Sequence, residues 1–334
     1  LVYLTGYDPP PLERLTCLVL RPGREPVLVV PSLERPLAES AGASRLADVV
    51  DWGETQDPYR LVARIAGPGS RIGCSDRMWA VHLLRLQAAL PDTAFISAAA
   101  VLGPLRAVKD QHELGLLRRA ARAADESFNR ILQSRLESRT ERDVAGQLAE
   151  LLLELGHEDV AFTIVGSGPN AASPHHEPSD RTIQEGDAVV LDFGGRVGGY
   201  CSDISRTVVV RRAPSEFDRA YEAVREAQDQ AFRRAGPGVP AQEVDRAARA
   251  VIEDAGFGEL FVHRTGHGIG LEEHEPPYIV EGNAEPLRPG MCFSIEPGVY
   301  LPGRFGVRIE DIVTVTADGA QRLNHAGRDL EVVG

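Results

Sequence analysis

The sequence predicts two domains: a small α/β domain over residues 1–108 and a larger α+β domain over residues 109–334. In the larger domain we expect a strongly twisted antiparallel sheet inside and helices outside. Two observations favour this assignment. A pattern of two helices followed by strands occurs twice, and each copy ends in a hairpin that carries a pair of acidic residues. The repeat predicts a pseudo-twofold arrangement of ααββ units, with the chemistry on the strand faces between the two halves.

Composition narrows the class of protein. The 334 residues carry a net charge of −13, which argues against nucleic acid or an anionic membrane surface as a partner. No apolar run approaches about 18 residues, so no membrane-spanning segment is expected. The four cysteines have no CxxC spacing, which argues against a zinc knuckle and gives no disulfide framework. We expect a cytoplasmic protein.

The smaller domain alternates between strand-like and helix-like segments. Its clearest helix start is Asp57 followed by Pro58, a common N-terminal signal. The segment GPLRAVKD at residues 103–110 is the expected domain boundary, and no catalytic cluster is expected before it. The predicted elements are a hairpin from residues 15–20 and 26–30, helices at 57–65 and 76–90, and strands at 71–73 and 93–97.

Four helices are expected in the larger domain, arranged as two pairs. The second helix opens with Thr140 followed by Asp143, a variant of the capping box, and ends at Gly156. The fourth helix ends at Gly256, and Val244 precedes this glycine by the same number of residues as Val144 precedes Gly156. The predicted helices cover residues 110–136, 140–156, 216–235 and 241–255.

The first acidic hairpin contains the segment LDFGGRVGGYCSD at residues 191–203. An apolar run ends in Asp192, a glycine-rich turn follows, and Asp203 precedes a second apolar run. With the turn centred on residues 196–199, Gly195 pairs with Tyr200 and Asp192 pairs with Asp203. Directly opposite carboxylates would have Cβ atoms about 4.5–5.5 Å apart. Such like charges repel unless a proton or a cation lies between them.

The second acidic hairpin has the same form. Glu296 and Glu310 lie symmetrically about Gly303, so their pairing leaves residues 301–305 as a five-residue loop. Between the hairpins lies HRTGHGIGLEEHEPP, the densest histidine cluster in the chain, and spacing alone does not select one of its histidines. Four carboxylates and one imidazole form a hard, oxygen-rich ligand set that suits two divalent ions bridged by shared carboxylates.

Four motifs in order, DFGG…GYCSDISRT, HRTGHGIGLEEHEPP, SIEPGVY and GVRIED, resemble those of the creatinase/aminopeptidase P/prolidase family of metallopeptidases. The segment YLTGY near the start is similar to the N-terminal domain of that family, and residues 109–325 resemble its catalytic domain. The resemblance is greatest to compact bacterial Xaa-Pro dipeptidases (prolidases). It implies the pita-bread fold, two divalent metal ions and a homodimer.

Specific residues acquire roles from this resemblance. It implies that His175 and His274 act near the scissile carbonyl, and that His263, Arg308 and Tyr300 line the substrate pocket or order the metal site. His176, next to His175, is interpreted as a solvent-exposed loop histidine. The implied metal ligands are Asp192, Asp203, His267, Glu296 and Glu310.

The implied reaction is hydrolysis of the bond that precedes proline, with proline-containing dipeptides or short peptides as substrates. We expect Glu296 to accept the proton of water and pass it to the leaving nitrogen, while His274 donates to the developing oxyanion. The ligand set favours Mn²⁺ or Co²⁺, although Zn²⁺ is possible. A loop around Asp8 to Arg14 is hypothesised to enter the site of a partner subunit.

Three other functions are compatible with parts of the pattern. An Xaa-Pro aminopeptidase would act on longer peptides, and an arginine that larger eukaryotic prolidases carry corresponds here to Gly282. A creatinase-like enzyme or a non-catalytic binding module of this fold would lack metal ligands, and all five are present here. The compact N-terminal segment favours the dipeptidase over the aminopeptidase.

Overall fold

A computed structural model describes residues 1–9, 12–69 and 71–334. The chain divides into two compact units, Leu1–Arg106 and Ala107–Gly334. Residues 10 and 11 of the loop hypothesised to enter a partner's site lie outside the described residues. Within the three described ranges, no helix combines the length and the apolar character that a membrane crossing requires.

The first unit has the predicted α/β character. Strands β1 (Cys17–Val19) and β2 (Val27–Pro31) form the expected antiparallel hairpin, and β3 (Asp48–Trp52) pairs with β2 in parallel. Strands β4 (Arg71–Cys74) and β5 (Ala94–Ser97) form a separate parallel pair. Parallel neighbours need a crossover connection, which helices supply here. The helices are α1 (Val2–Thr5), α2 (Arg35–Ser40), α3 (Pro58–Ala66), α4 (Ala80–Ala89) and α5 (Ala99–Ala107).

Capping boxes mark the starts of the first two helices of the second unit. Asp110 and Glu113 form a reciprocal capping box at the start of α6, and Thr140 and Asp143 form the predicted one at the start of α7. Helix α6 is five residues shorter than expected at its C-terminal end. The helices are α6 (Gln111–Ile131), α7 (Glu141–Glu154), α8 (Phe217–Arg234) and α9 (Ala241–Asp254).

Two five-stranded sheets and a two-stranded ribbon form the interior of the second unit. The first sheet comprises β6 (Asp159–Ser167), β7 (Ala188–Val197), β8 (Tyr200–Cys201), β9 (Ile204–Val210) and β17 (Glu331–Val333). The other strands are β10 (Gly266–Gly268), β11 (Glu275–Ile279), β12 (Cys292–Ile295), β13 (Gly298–Leu301), β14 (Phe305–Arg308), β15 (Asp311–Val315) and β16 (Ala320–Arg322). The first sheet has the order β17-β9-β7-β6 with β8 paired to β7, the second has the order β11-β10-β12-β15-β16, and β13 pairs with β14.

Each pair of helices packs against its own set of strands. One apolar core contains Phe128 of α6, Leu148 of α7 and Phe193 of β7. A second core contains Val224 of α8, Ala248 of α9 and residues of β12 to β15. The predicted pita-bread fold, in which an ααββ unit occurs twice, is therefore confirmed. This arrangement leaves the faces between the two halves for polar side chains.

Candidate metal centre

The first acidic pair lies on β7 and on the segment that precedes β9. Gly198 and Gly199 both have positive φ angles, 58° and 79°, and form a two-residue turn that pairs Val197 with Tyr200. In this register Asp192 lies opposite Ser205, so the predicted pairing of Asp192 with Asp203 is wrong by two residues. Side chains alternate along a strand with a period of two. The shift therefore leaves Asp203 on the same face as Asp192, as its diagonal neighbour.

The second acidic pair has the predicted register. Ile295 pairs with Asp311 and Gly298 pairs with Arg308, which keeps Glu296 opposite Glu310 between them. The loop is shorter than predicted, because Leu301 and Phe305 form a strand pair and only residues 302–304 connect the strands.

The two hairpins that carry the acidic pairs meet at Ser205 and Glu310. An isolated β-bridge joins these residues, and the Ser205 hydroxyl donates to Glu310 Oε2 at 2.9 Å. Two residues along each strand, the Thr207 hydroxyl accepts from the Arg308 amide and donates to its carbonyl, both at 3.0 Å. The junction brings both pairs of carboxylates to one place.

The imidazole of His267 completes the cluster. One ligand atom each from Asp203, His267 and Glu310 lie within 4.8 Å of one another. His267 Nε2 lies 3.2 Å from Glu296 Oε1 and 3.7 Å from Asp203 Oδ2. The structure therefore brings together the side chains predicted as ligands, with Asp192 held beside them through Arg308 and Ser205.

Three carboxylate oxygens in this cluster are buried and have no hydrogen-bond partner among the described residues: Asp192 Oδ1, Asp203 Oδ1 and Glu310 Oε1. Such oxygens are costly unless another group satisfies them. Burial, followed by the charges of neighbouring carboxylates, raises the pKa values of Asp203 and Glu310 well above their usual range. The site therefore offers carboxylate oxygens without partners, an excess of negative charge and one imidazole. This combination fits divalent cations.

Family comparisons agree with this chemistry. The model of metallopeptidase family M24 matches residues 115–317, and the model of the creatinase/prolidase N-terminal domain matches residues 1–108. The chain belongs to metallopeptidase family M24. Membership makes it an enzyme, and the family implies a divalent metal.

Similar proteins cover nearly the whole M24 chain. It is 48% identical over 337 residues to "Probable dipeptidase PepE" of Mycobacterium tuberculosis, a match that covers 100% of this chain and 89% of that protein. It is 38% identical to an Xaa-Pro dipeptidase of Lactobacillus helveticus, over 99% and 92% of the two chains. The crystal structure of a prolidase from Thermococcus sibiricus superposes with a TM-score of 0.94 at 39% identity, over 99% and 91% of the two chains.

Arg308, predicted to bind substrate or order the metal site, is buried in the M24 domain and is extensively hydrogen-bonded. Its Nη2 donates to Asp192 Oδ2 at 2.5 Å, its Nε to Ser205 Oγ at 2.9 Å, and its Nη1 to Tyr300 Oη at 2.8 Å and to the Pro174 carbonyl at 3.3 Å. A guanidinium has five N–H donors, so few remain for a substrate carboxylate. These contacts favour the role of ordering Asp192.

His263 and Tyr300, the other predicted pocket residues, extend the same hydrogen-bonded chain. His263 Nε2 lies 2.8 Å from Tyr300 Oη, and His263 Nδ1 lies 2.7 Å from the Arg264 carbonyl. Burial raises the pKa of Tyr300 to about 12, so the phenol stays protonated. Their role in substrate binding stays a prediction.

His274 lies beside the cluster, and the carbonyl of Pro174, which precedes His175, accepts a hydrogen bond from Arg308. The ring centroid of His274 is 3.9 Å from that of His267. Desolvation, followed by the positive charges of His267 and Arg264, lowers the pKa of His274 to about 4. The side chain of His175 is exposed. Both histidines can therefore meet a substrate, and their catalytic roles stay predictions.

The interpretation of His176 as a solvent-exposed loop histidine is wrong. Its Nε2 lies 2.8 Å from Glu141 Oε2, and only 18% of its side chain is exposed. Glu141, at the start of α7, is buried and also accepts hydrogen bonds from Ser167, Asn170 and Ser179. Sequence reasoning missed Glu141, because an acid in the first turn of a helix is common for reasons of the helix dipole alone.

Arg206 was also missed, although a charge inside the apolar run of β9 was a signal. Its side chain is buried and donates to four backbone carbonyls and to Asp311 Oδ1. Two of the carbonyls belong to Ser205 at 2.9 Å and Glu310 at 2.6 Å. Arg206 therefore links β9, which contains Ser205, to the segment that contains Glu310.

We expect Arg206→Met to destabilise the second unit by about 3–5 kcal/mol, the range for breaking a buried ion pair. The Tm of this unit should fall by roughly 2–4 °C for each kcal/mol. Calorimetry of the metal-free protein measures the change. Arg206→Lys keeps the charge and should lose less, whereas Arg130→Met, on the exposed face of α6, should lose little. Equal Tm values for wild type and Arg206→Met would contradict this account.

Proposed function

We propose that this M24 enzyme is an Xaa-Pro dipeptidase that uses two divalent metal ions, held by Asp192, Asp203, His267, Glu296 and Glu310. The observation that carries the proposal is that three of these acids each have a buried carboxylate oxygen with no hydrogen-bond partner in the part of the chain that the structure describes. The Mycobacterium relative is named a probable dipeptidase and the Lactobacillus relative an Xaa-Pro dipeptidase, which supports a dipeptide substrate.

The side chains of the site divide the work of hydrolysis. When bound, divalent ions would supply Lewis acidity, which makes water nucleophilic near neutral pH. Glu296 would hold the proton at Oε2, because Ser294 donates to Oε1 at 3.1 Å. It would pass this proton to the leaving nitrogen, which in an Xaa-Pro bond bears no hydrogen of its own.

Other residues would bind and orient the substrate. His274 would donate a hydrogen bond to the developing oxyanion, and the exposed His175 would approach the same carbonyl. Arg308, Tyr300 and His263 would keep Asp192 in place through their hydrogen-bonded chain.

The chemistry of the ligands favours Mn²⁺ or Co²⁺ over Zn²⁺, because carboxylate oxygens predominate. A homodimer and a cytoplasmic location complete the proposal. They rest on the family resemblance and on the composition of the chain.

Hydrolysis of Ala-Pro and Ala-Pro-Ala tests the function. We expect the chelated enzyme to be inactive, and the enzyme reconstituted with Mn²⁺ to cleave Ala-Pro and to contain two ions per chain by elemental analysis. Cleavage of Ala-Pro-Ala with no cleavage of Ala-Pro would identify an aminopeptidase instead. Cleavage of neither peptide by the fully loaded enzyme would reject both activities.

A further inference from the structure

Arg264 contacts His274 beside the metal centre. Its Nη2 lies 3.3 Å from Nδ1 of His274 in hydrogen-bond geometry. Its guanidinium carbon also lies 4.5 Å from the ring centroid of Tyr278. Arg264 is half-buried and makes no other side-chain hydrogen bond within the described ranges. Neither Arg264 nor Tyr278 was among the residues singled out from the sequence.

The chemistry of the two groups decides which one donates. A guanidinium donates hydrogen bonds and cannot accept them. Nδ1 of His274 must therefore be the acceptor, and a neutral ring then carries its single proton on Nε2. The opposite tautomer would place an N–H group on Nδ1 directly against an N–H donor of Arg264.

We propose that Arg264 is a positioning residue that holds His274 in the tautomer with the proton on Nε2. This inference rests on the proposed function in one respect, the role of His274 as the donor to the oxyanion. With Nδ1 engaged by Arg264, Nε2 is the nitrogen that remains for the substrate. The tautomer set by Arg264 gives this nitrogen the hydrogen that the role requires.

The local fold holds the guanidinium in place. His267 on β10 pairs with Tyr278 on β11, and a register shift lies between His267 and Gly268. The pairing with His267 places Tyr278 near the start of β10. Arg264, two residues before β10, lies over the face of the Tyr278 ring. Stacking on an aromatic ring restrains the plane of a guanidinium while its edge donors stay available.

Nitrogen NMR tests the tautomer independently of catalysis. In protein labelled with ¹⁵N-histidine, loaded with diamagnetic Zn²⁺ and assigned through the loss of signal in His274→Gln, we expect Nε2 of His274 to carry the proton. Arg264→Lys, which also only donates, should preserve this state. Arg264→Met should shift the His274 signals towards a mixture of tautomers, and Arg130→Met should not. A proton on Nδ1 in wild type, or unchanged signals in Arg264→Met, would overturn the proposal.

Steady-state kinetics on Ala-Pro gives a second readout. In metal sites, loss of the hydrogen-bond partner behind a functional side chain commonly lowers activity by about 10- to 100-fold. For Arg264→Met we expect a fall of this size in kcat, with KM nearly unchanged. Arg264→Lys should recover most of it. A raised KM with an unchanged kcat would overturn the positioning role and assign Arg264 to substrate binding. If wild type cleaves no Xaa-Pro peptide, the proposed function fails, while the NMR result still decides the role of Arg264.

Discussion

Glu310→Gln should abolish nearly all activity and yet stabilise the metal-free protein. Lewis-acid stabilisation by a metal ion is worth several kcal/mol, and each 1.36 kcal/mol is tenfold in rate. We therefore expect kcat/KM for Ala-Pro to fall by roughly 10³-fold, and metal content to fall below two ions per chain.

The gain in stability has an electrostatic origin. In the metal-free protein, Glu310 belongs to a buried cluster of carboxylates. The negative charges of Glu296 and Asp192 disfavour the charged form of Glu310, and the charge of Glu310 in turn disfavours that of Asp203. The raised pKa of Glu310 means that folding without metal must either bear this repulsion or protonate the carboxylate. A glutamine is neutral at every pH and avoids both costs, so the Tm of metal-free Glu310→Gln should exceed that of metal-free wild type.

Two comparisons make this prediction specific. Glu126→Gln, an exposed acid paired with Arg130 on α6, should change neither activity nor Tm appreciably. With excess Mn²⁺ the order of Tm values should reverse, because an ion that binds only the native state stabilises it. A Glu310→Gln enzyme that retains full activity and two bound ions would remove Glu310 from the metal centre.

Glu141→Gln should destabilise the loop that carries His175. Burial by itself would raise the pKa of Glu141, but the hydrogen bonds from Ser179, Ser167 and His176 outweigh burial and lower this pKa to about 2. The difference from the usual value of 4.5 corresponds to about 3 kcal/mol of folding stability at neutral pH. A glutamine presents an amide donor to groups that are themselves donors, so most of this stability should be lost.

The direction of the pKa shift of Glu141 predicts how its contribution to stability depends on pH. The pKa of Glu141 is lower in the folded protein than in the unfolded chain. Its contribution is therefore fully present above about pH 4.5 and is lost as the pH falls towards 2. The gap in Tm between wild type and Glu141→Gln should be large at pH 7 and should narrow on acidification.

Glu154→Gln is the matched control, since Glu154 ends the same helix and 66% of its side chain is exposed. It should track wild type at every pH. We also expect kcat for Ala-Pro to fall in Glu141→Gln while metal content stays at the wild-type value, because the loop of His175 and not the carboxylate cluster is disturbed. A constant gap in Tm across the pH range would exclude Glu141 as its source.

Much of the site could be predicted from the sequence because β-hairpins are local. The symmetry of Glu296 and Glu310 about Gly303 predicted their register, which the pairs on either side confirm. The predicted register of Asp192 was wrong by two residues, because only two glycines form the turn. Side chains alternate along a strand, so Asp192 and Asp203 still lie on the same face of the sheet. The helix starts at Asp110 and Thr140 likewise depend on side chains within three residues.

The sequence by itself therefore determined the family, the repeat, and which acidic residues share a strand face, because each of these depends on neighbours in the chain. Only the tertiary structure decided that Glu141 anchors His176, that Arg206 joins the strands of Ser205 and Glu310, and that Arg264 faces His274. The partners of Glu141 and Arg206 lie between 26 and 121 residues away, apart from Ser205. A buried charge is stable only where folding supplies a partner, and no local pattern specifies which distant residue that will be.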